Sequence, residues 1–445
     1  MQLVKNSEHT VKITGYSSEG AGVARIEGQV VFIPGTIRDE VCKIKILKVN
    51  KNIAFGKLLS VEEASPYRVK PECEVYPKCG GCDFWHMSYE EELRFKEEQV
   101  QNVITRIGGL DLKVESIVGS IDVLHYRNKA QFPVGKTDKC VCGFYRTHSH
   151  DIVPCNECKI QSHFANEIAK CVLSWMDDFD IEPYDEKTGK GIMRHIYVRN
   201  NMLCLVVRDK PKKCDELVAR ILESHPETSG ILLNYNRENT NVILGKKIET
   251  LWGDAGVIDT LCGNEFAIAP HAFYQVNHNQ AEVLYNIAIE KAKLTGSEAV
   301  LDLYCGAGTV TLALARYAKE VIGVEIIPEA IVNANENAKR NGIVNTEFIC
   351  GDATKAASTL KARGISADVV VVDPPRKGLT PDLIKTISEI APSRVVYVSC
   401  DPATLARDLK LFGEVGYETK SVTPVDMFPR TRHCECVAEI ERIKI

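Results

Sequence analysis

The chain has 445 residues, too many for one hydrophobic core, so we expect two to four domains. Apolar and charged fractions of 44% and 26% are those of ordinary globular proteins and exclude the disordered and fibrous classes. The net charge of −5 gives no global attraction to nucleic acid, so any contact with RNA or DNA must use a local basic surface.

The first 60 residues are predicted to form a small OB-like β-barrel, because glycines separate short strands such as VVFIP and VCKIKILKV. Nine Lys/Arg against five Asp/Glu between Met1 and Leu59 make this module basic. A small basic barrel suits RNA, although a solvated charged face explains the charge equally well. The segment MQLVKNSEHTVKI has no apolar signal, and no later run is long enough for a membrane span. We therefore expect a cytoplasmic protein without membrane contact.

Residues 61–268 are predicted to form a central α+β domain that begins with a Pro-interrupted linker at 60–72. A cluster of cysteines, CEVYPKCGGC, follows the linker. Without a secretory signal, the 17 cysteines are expected to be thiols, metal ligands or a nucleophile rather than disulfides. Four thiolates suit a 4Fe–4S cluster or zinc, and the three-plus-one spacing favours iron over zinc. The candidate ligands are Cys73, Cys79 and Cys82, with Cys155 or Cys158 as the fourth.

Two further segments of the central region are notable. YEEELRFKEEQVQNVITRIGGL, at about 88–110, is a strong helical pattern that ends at a Gly-Gly stop. YRNKAQFPV, at 126–134, places Arg127 and Lys129 beside aromatic residues, which makes it a candidate RNA contact or, with equal weight, an exposed strand.

From residue 269 to 445, strands such as AVLDLY, EVIGVE, DVVVVD and RVVYVSC alternate with helices. This alternation predicts an α/β domain with a parallel, doubly wound sheet, whose ligands bind at the carboxyl ends of the strands. In DLYCGAGTVTL, Gly306 and Gly308 allow a tight turn against a ligand. Glu325 ends the second strand, where it can accept hydrogen bonds from ribose hydroxyls, and Asp352 can reach an adenine amino group. Two acids with only two glycines favour S-adenosylmethionine over a dinucleotide.

The last two parallel strands indicate covalent chemistry on a base. In VVVVDPPRKGL, Asp373 precedes Pro374-Pro375, a rigid wall suited to a flat base turned out of its stack. In VVYVSCD, Cys400 reaches the same edge of the sheet. Pyrimidine C5 is too weakly nucleophilic to take a methyl group directly, and thiolate addition at C6 activates it. A base must then remove the C5 proton, and Glu435 in HCECVAEIERI is the candidate, although by spacing alone a surface glutamate is the simpler interpretation.

DLYCGAGTVTL, DPPRKGL, SCDPATLARD and HCECVA together resemble the RNA uracil-C5 methyltransferases, and most closely the bacterial enzymes that make 5-methyluridine in 23S ribosomal RNA. The resemblance implies a Rossmann-like methyltransferase domain at 269–445, an N-terminal TRAM barrel at 1–60 and a central iron–sulfur domain at 61–268. It also implies a monomer in which the helix near 88–110 packs on the catalytic domain.

The same resemblance assigns roles to single residues. Cys400 matches the nucleophile and Glu435 the proton-abstracting base. Phe273 and Pro374 match the faces that hold the uracil. The S-adenosylmethionine contacts that it implies are Gln275, Tyr304, Glu325 and Asp373. The cluster ligands that it implies are Cys73, Cys79, Cys82 and Cys158, which selects Cys158 over Cys155.

Three rival functions remain at this stage. A transfer-RNA uracil methyltransferase is the nearest, and relatives of that kind are expected to lack the barrel and the cluster cysteines. A non-catalytic RNA-binding or redox module would use the metal cluster alone. A DNA cytosine-C5 enzyme typically carries its cysteine in a Pro-Cys context, which the Ser-Cys-Asp-Pro element here does not match.

Overall fold

The structure is a computed structural model that describes residues 3–147, 149–362, 364 and 366–444. The expected domain limits at residues 1 and 445 lie outside these ranges. Within the described residues, every helix is either too short or too polar to cross a lipid bilayer.

The N-terminal module is a curled six-stranded sheet with the order β1-β5-β6-β4-β3-β2. Residues Cys42, Ile44 and Ile46 alternate along one strand and point inward, where they are fully buried. The Thr14 backbone N–H donates to the Val23 carbonyl at 2.8 Å, which draws the first strand toward the third. The strands are β1 (Glu8–Lys12), β2 (Gly15–Tyr16), β3 (Gly22–Ile26), β4 (Gln29–Ile33), β5 (Val41–Val49) and β6 (Ile53–Glu63).

The Pro-interrupted linker expected at residues 60–72 is confirmed in part: residues 60–63 belong to strand β6, whereas residues 64–72 contain no helix or named strand. Strand β6 continues to Glu63 and pairs with β5 along this length. Beyond it, Arg68 Nη2 donates to Glu40 Oε2 at 2.7 Å, and Glu40 is fully buried in the N-terminal module. Because this ion pair lies partly out of water, the segment is fastened to the barrel rather than free.

The central region contains the helix α1 (Tyr89–Arg106) and a seven-stranded sheet with the order β13-β12-β11-β10-β7-β8-β9. One face of this sheet packs on two helices around Trp175 and Val172. The other face contacts the C-terminal region through Tyr197 and Leu232. The remaining elements are β7 (Lys129–Lys136), β8 (Cys140–Tyr145), β9 (Ile152–Pro154), α2 (His163–Asp178), β10 (Met193–Arg199), β11 (Met202–Val207), α3 (Cys214–Ser224), β12 (Gly230–Tyr235) and β13 (Lys247–Gly253).

A separate hairpin follows, formed by β14 (Val257–Leu261) and β15 (Asn264–Ile268). Leu261 and Phe266 of the hairpin share a core with Leu284 of the next helix. The hairpin therefore packs on the C-terminal region although it precedes residue 269.

The C-terminal region is the expected α/β sheet, with the order β18-β17-β16-β19-β20-β22-β21. Five strands are parallel, and the chain then turns back so that β22 runs antiparallel to both of its neighbours. The elements are α4 (His278–Ala292), β16 (Ala299–Leu303), α5 (Thr309–Ala315), β17 (Glu320–Glu325), α6 (Pro328–Arg340), β18 (Thr346–Cys350), α7 (Ala353–Ala362), β19 (Val369–Val372), α8 (Pro381–Ile390), β20 (Arg394–Ser399), α9 (Pro402–Glu414), β21 (Tyr417–Val425) and β22 (Glu435–Arg442).

Helix α1, which precedes the C-terminal region in the sequence, packs against that region and contributes to its hydrophobic core. Ser88 caps it by accepting a hydrogen bond from the Glu91 backbone N–H, and Val100 and Ile104 pack with Leu405 and Phe412 of α9. Gly108 follows the helix and lies so close to α9 that a Cβ there would be 3.2 Å from the Ala406 carbonyl oxygen. The helix therefore shares a hydrophobic core with the C-terminal region, although it lies in the first quarter of the sequence.

Candidate active site

Cys400 and Glu435 lie side by side on adjacent strands, at the end of the C-terminal sheet where the parallel strands have their carboxyl ends. Strand β20 pairs antiparallel with β22, and Ser399 stands opposite Cys436. The next residues along these two strands are Cys400 and Glu435, so the pairing brings them together from positions far apart in sequence. Cys400 is only partly buried, which leaves its thiol accessible, whereas Glu435 is buried.

The electrostatic environment joins these two residues to the end of β19. Burial raises the pKa of the Cys400 thiol to about 11, with further increases from Glu435 and Asp373, while Arg376 lowers it. Burial and then Asp373 raise the pKa of Glu435 to about 8. Burial and then Asp302 raise the pKa of Asp373 itself to about 7. Carboxyl groups with pKa values near neutrality, facing one thiol, form a cluster suited to proton transfer.

The base-binding candidates lie on two loops. Asp373 follows β19 directly, and Pro374 beside it is buried. Phe273 lies between β15 and α4 and is 78% exposed, which is unusual for a phenylalanine and leaves its ring free to stack. Gln275, two residues later, is partly buried, and its side chain faces the hydroxyl of Tyr285.

The turn after β16 has backbone dihedral angles that allow a ligand to lie close to the main chain. Tyr304, Gly306 and Gly308 have φ values of +74°, +54° and +84°, all in the left-handed region. For Tyr304 this conformation is strained, and such strain concentrates at functional sites. The Gly306 N–H donates to Glu325 Oε2 at 3.2 Å, and the Ile327 N–H donates to Glu325 Oε1 at 2.9 Å. The carboxylate of Glu325 is therefore held at the mouth of the turn.

Asp352 lies at the start of α7. Its Oδ1 accepts a hydrogen bond from the Lys355 N–H at 3.1 Å, and the residue is exposed. Burial and then the charge of Asp352 raise the pKa of Tyr304, so Asp352 is near the glycine turn as well. The structure thus brings part of the predicted site together at the carboxyl ends of the parallel strands: Tyr304, Gly306, Glu325, Asp352, Asp373, Cys400 and Glu435.

Two residues of this cluster were missed as functional candidates. Arg376 lowers the pKa values of Cys400 and Glu435 and is the cation that faces both. Arg376 directly follows Pro374-Pro375 in the sequence, and this position could have identified it as a candidate site residue. Tyr285, buried in α4, lies near Asp373, Glu435 and Gln275, and in the sequence it looks like an ordinary core position.

The candidate cluster cysteines surround one cavity of about 200 Å³ in the central region. Cys155 and Cys158 are hydrogen-bonded to each other, and this contact lowers the pKa of Cys158 to about 7. Among the residues that the structure describes, no three of these thiols lie mutually within 4.8 Å. The cavity is lined by Cys73, Cys79, Cys82, Cys155 and Cys158.

Arg127 and Lys129 lie between this cavity and the active site. Arg127 lines the thiol cavity and also a second, more open cavity. Asn128, between them, donates its backbone N–H to the Val276 carbonyl at 2.8 Å and its side-chain amide to the Gln275 carbonyl at 3.1 Å. The segment that carries Phe273 is therefore tied by hydrogen bonds to Asn128, which lies between Arg127 and Lys129, the first residue of β7.

The C-terminal region has a class I methyltransferase fold. Four features define it: the order of the strands, the single antiparallel strand, the glycine turn after the first strand and the acidic residue at the end of the second strand. A profile of the family "tRNA (Uracil-5-)-methyltransferase" matches residues 264–443, and a TRAM domain profile matches residues 2–59. A protein of Clostridium tetani named "Uncharacterized RNA methyltransferase" is 46% identical over 97% of this chain and 96% of its own. A protein of Halalkalibacterium halodurans with the same description is 46% identical over 98% and 97% of the two chains.

Among solved structures, the tRNA (uracil-54, C5)-methyltransferase of Pyrococcus abyssi, in complex with S-adenosyl-L-homocysteine, matches with a TM-score of 0.79. It is 26% identical and covers 97% of this chain and 99% of that chain. The chain belongs to the family of S-adenosylmethionine-dependent RNA uracil-C5 methyltransferases. One expectation needs correction: this transfer-RNA enzyme aligns along nearly its whole length, so the presence of the N-terminal module does not separate ribosomal-RNA from transfer-RNA enzymes.

Proposed function

We propose that this protein, in the cytoplasm, transfers a methyl group from S-adenosylmethionine to C5 of a uridine in RNA through a covalent bond between Cys400 and C6 of the base. The observation that carries the proposal is the pairing of Cys400 with Glu435 across β20 and β22, beside Asp373. A nucleophile and a base on adjacent strands can act on the two neighbouring carbons of one pyrimidine ring.

The chemistry assigns one bond change to each of these residues. The Cys400 sulfur adds to C6 and turns the C5–C6 double bond into an enolate, whose C5 becomes nucleophilic. S-adenosylmethionine, when bound, would supply the electrophilic methyl group that C5 takes, and the electron pair of the broken C–S bond would stay on its sulfur, giving S-adenosylhomocysteine. Glu435 then removes the C5 proton, the C5–C6 double bond re-forms, and the sulfur leaves C6 with its electron pair. The enzyme is regenerated once Glu435 releases that proton.

The residues around the glycine turn fit S-adenosylmethionine. A Cβ on Gly306 would meet nothing within 4 Å, so the turn borders open space, and the carboxylate of Glu325 faces the same space. In the proposal Glu325 accepts hydrogen bonds from the ribose hydroxyls, and Phe273 and Pro374 enclose the uracil. The proposed contacts with the methyl donor are Gln275, Tyr304, Gly306, Gly308, Glu325, Asp352 and Asp373.

We further propose that Cys73, Cys79, Cys82 and Cys158 hold a 4Fe–4S cluster. The lining of one cavity by all four thiols supports a shared metal site, and the three-plus-one spacing in the sequence favours iron–sulfur over zinc. The segment beside Cys82 contacts the loop before Glu435, since the Asp83 N–H donates to the Arg430 carbonyl at 2.8 Å. In the proposal a cluster there shapes the RNA-binding surface of the central region and takes no part in methyl transfer.

The RNA itself is proposed to be 23S ribosomal RNA, because the catalytic motifs resemble those of the bacterial ribosomal enzymes. Transfer RNA is the second candidate, favoured by the full-length similarity to the Pyrococcus abyssi enzyme. Incubating the protein with each RNA and mapping 5-methyluridine distinguishes the two. Arg127, Lys129 and the basic N-terminal module are the proposed RNA contacts.

The chemistry is tested with RNA containing 5-fluorouridine, because fluorine at C5 cannot be removed as a proton and the adduct stays on the enzyme. A complex that survives denaturation is expected with the wild type and is expected to be absent with Cys400→Ala, which should still bind RNA. Cys350→Ala, an exposed thiol of the same sheet, is the matched control and should form the adduct. A non-catalytic RNA-binding or redox module predicts equal behaviour of all three proteins.

A further inference from the structure

Arg199 is a buried cation, and two of its hydrogen-bond donors have no acceptor among the described residues. The residue ends β10 and is only 3% exposed. In the part of the chain that the structure describes, its buried Nε and Nη1 atoms have no hydrogen-bond acceptor, and the guanidinium contacts Tyr197, whose ring centre lies 6.0 Å away. Because buried donors without acceptors cost free energy, this arrangement requires an explanation.

Two more cations surround this one. In the register of β10 and β7, Arg199 stands directly opposite Lys129. Burial, and then the charges of Arg199 and Arg127, lower the pKa of Lys129 to about 8. The Nε atom of Arg127 is also buried without an acceptor. The three cations therefore destabilise one another in the free protein.

Other buried cations of the described chain are neutralised or fully bonded. Lys96 contacts the carboxylates of Glu92 and Asp426, and Arg68 is paired with Glu40. Arg194 donates to two backbone carbonyls, those of Asn236 and Glu238. The cluster of Arg127, Lys129 and Arg199, hereafter the cation cluster, has no carboxylate among the groups that shift Lys129. Binding of an anion from another molecule would neutralise these buried charges and so stabilise the site.

The position of the cation cluster indicates which kind of anion would bind there. Tyr197, two residues before Arg199, donates to the Pro270 carbonyl at 3.0 Å, and Asn128 binds the Gln275 and Val276 carbonyls. The segment with the exposed ring of Phe273 is thus anchored at both ends by residues adjacent to the cation cluster. A second cavity, of about 270 Å³ and lined by Arg127, Asn128 and Asn200, opens beside it.

We propose that the cation cluster binds a backbone phosphate of the RNA next to the target uridine, with Arg199 as the central ligand. The inference rests on the proposed function, whose flipped base would lie against Phe273. Guanidinium groups match two phosphate oxygens at once, and Lys129 adds a point charge. Binding would give the orphaned donors their acceptors and remove the repulsion among the three cations, so the buried charge is stabilised only in the RNA complex.

The test measures RNA affinity as a function of salt for wild type, Arg199→Gln and Arg220→Gln. Arg220 lies on α3, and its helix packs on the opposite face of the sheet, so it is the matched control. For a single-stranded target, each lost phosphate contact reduces the slope of log K against log salt by about 0.7. We expect that reduction, with an affinity loss of about 5- to 50-fold at low salt, for Arg199→Gln only.

A second arm uses RNA with one neutral methylphosphonate beside the target uridine. It should weaken binding to the wild type and have no further effect on Arg199→Gln, because both changes remove the same contact. Equal salt slopes for wild type and Arg199→Gln, or additive effects of the two changes, would overturn the proposal. If Arg199→Gln does not fold, Lys129→Gln, at a partly exposed position, takes its place. Wild-type protein that shows this slope but forms no 5-fluorouridine adduct would contradict the proposed chemistry and leave the phosphate site standing.

Discussion

Lys96 of α1 donates a hydrogen bond to Asp426 at 2.7 Å, although 330 positions separate the two residues in the chain. The same ammonium donates to Glu92 at 2.8 Å and to the Phe428 carbonyl at 3.2 Å. Asp426 begins the segment that leads from β21 to Glu435. A helix from the first half of the chain therefore fixes the segment that precedes the proposed catalytic base.

Replacing Lys96 with methionine should lower the free energy of unfolding by about 3–5 kcal/mol, because Glu92 and Asp426 would remain buried without a counter-charge. Chemical denaturation of the full chain measures this loss. Arg94→Met, on the same helix with a half-exposed side chain, should change stability by about 0.5 kcal/mol or less. An equal effect of the two substitutions would show that the buried contacts of Lys96 do not stabilise the fold.

Glu435→Gln should slow turnover by about 100-fold or more while leaving formation of the Cys400 adduct intact, because the amide cannot take the C5 proton. On ordinary uridine-containing RNA, a methylated covalent complex should therefore accumulate, and gel electrophoresis under denaturing conditions detects it. Glu441→Gln, on the same strand, is the control and should turn over normally. Normal turnover of Glu435→Gln would assign the base to another residue.

The rate of turnover should rise with pH through about 8. Glu435 acts as a base only when ionised, and its pKa of about 8 leaves about one tenth of it ionised at pH 7. The sign follows from the raised pKa: protonation below 8 disables the base, and ionisation above 8 restores it. Initial rates at saturating RNA and methyl donor between pH 6 and 9.5 measure the profile. A profile that is flat or falls over this range would contradict the assignment.

Glu325→Gln should weaken S-adenosylmethionine binding by about 10- to 100-fold, because hydrogen bonds from hydroxyls to a carboxylate are stronger than those to an amide. Calorimetric titration of the protein without RNA measures the affinity. Glu347→Gln carries the same charge change at an exposed position of the neighbouring strand β18 and should bind normally. Equal affinities of both variants would place the ribose elsewhere.

Removal of one proposed cluster ligand should remove the cluster. Cys82→Ala, purified without oxygen, should lose bound iron and the brown absorbance near 400 nm that a wild-type 4Fe–4S protein would show. Cys142→Ala is the control, because this thiol is buried in the hydrophobic core of the central region. Zinc in place of iron in the wild type, or unchanged iron content in Cys82→Ala, would contradict the ligand assignment.

The C-terminal sheet was predictable because its strands are dense apolar runs that alternate with capped helices, and the motifs mark the strand ends. Long-range placements were less accessible. The packing of α1 on the C-terminal region was implied by the family resemblance, but the partners of Val100 and Ile104 on α9 were not predictable, because an apolar stripe does not identify the surface that it packs on. Likewise, the sequence places Arg199 at the end of a strand but does not show which residue lies opposite it. Only the pairing of β7 with β10 shows that this neighbour is Lys129, a second cation. The start of the linker was placed too early because the two prolines at 66 and 71 outweighed the strand pattern of SVEE at 60–63.

The dependence of the catalytic core on α1 also has a consequence for biosynthesis. The helix leaves the ribosome early, whereas α9, which covers Val100 and Ile104, is translated near the end. At about 5–20 residues per second, the intervening chain takes on the order of 15 to 60 seconds to emerge. Throughout that interval the apolar stripe of α1 lacks its permanent cover, so the nascent chain is most exposed to aggregation and chaperone capture at this helix.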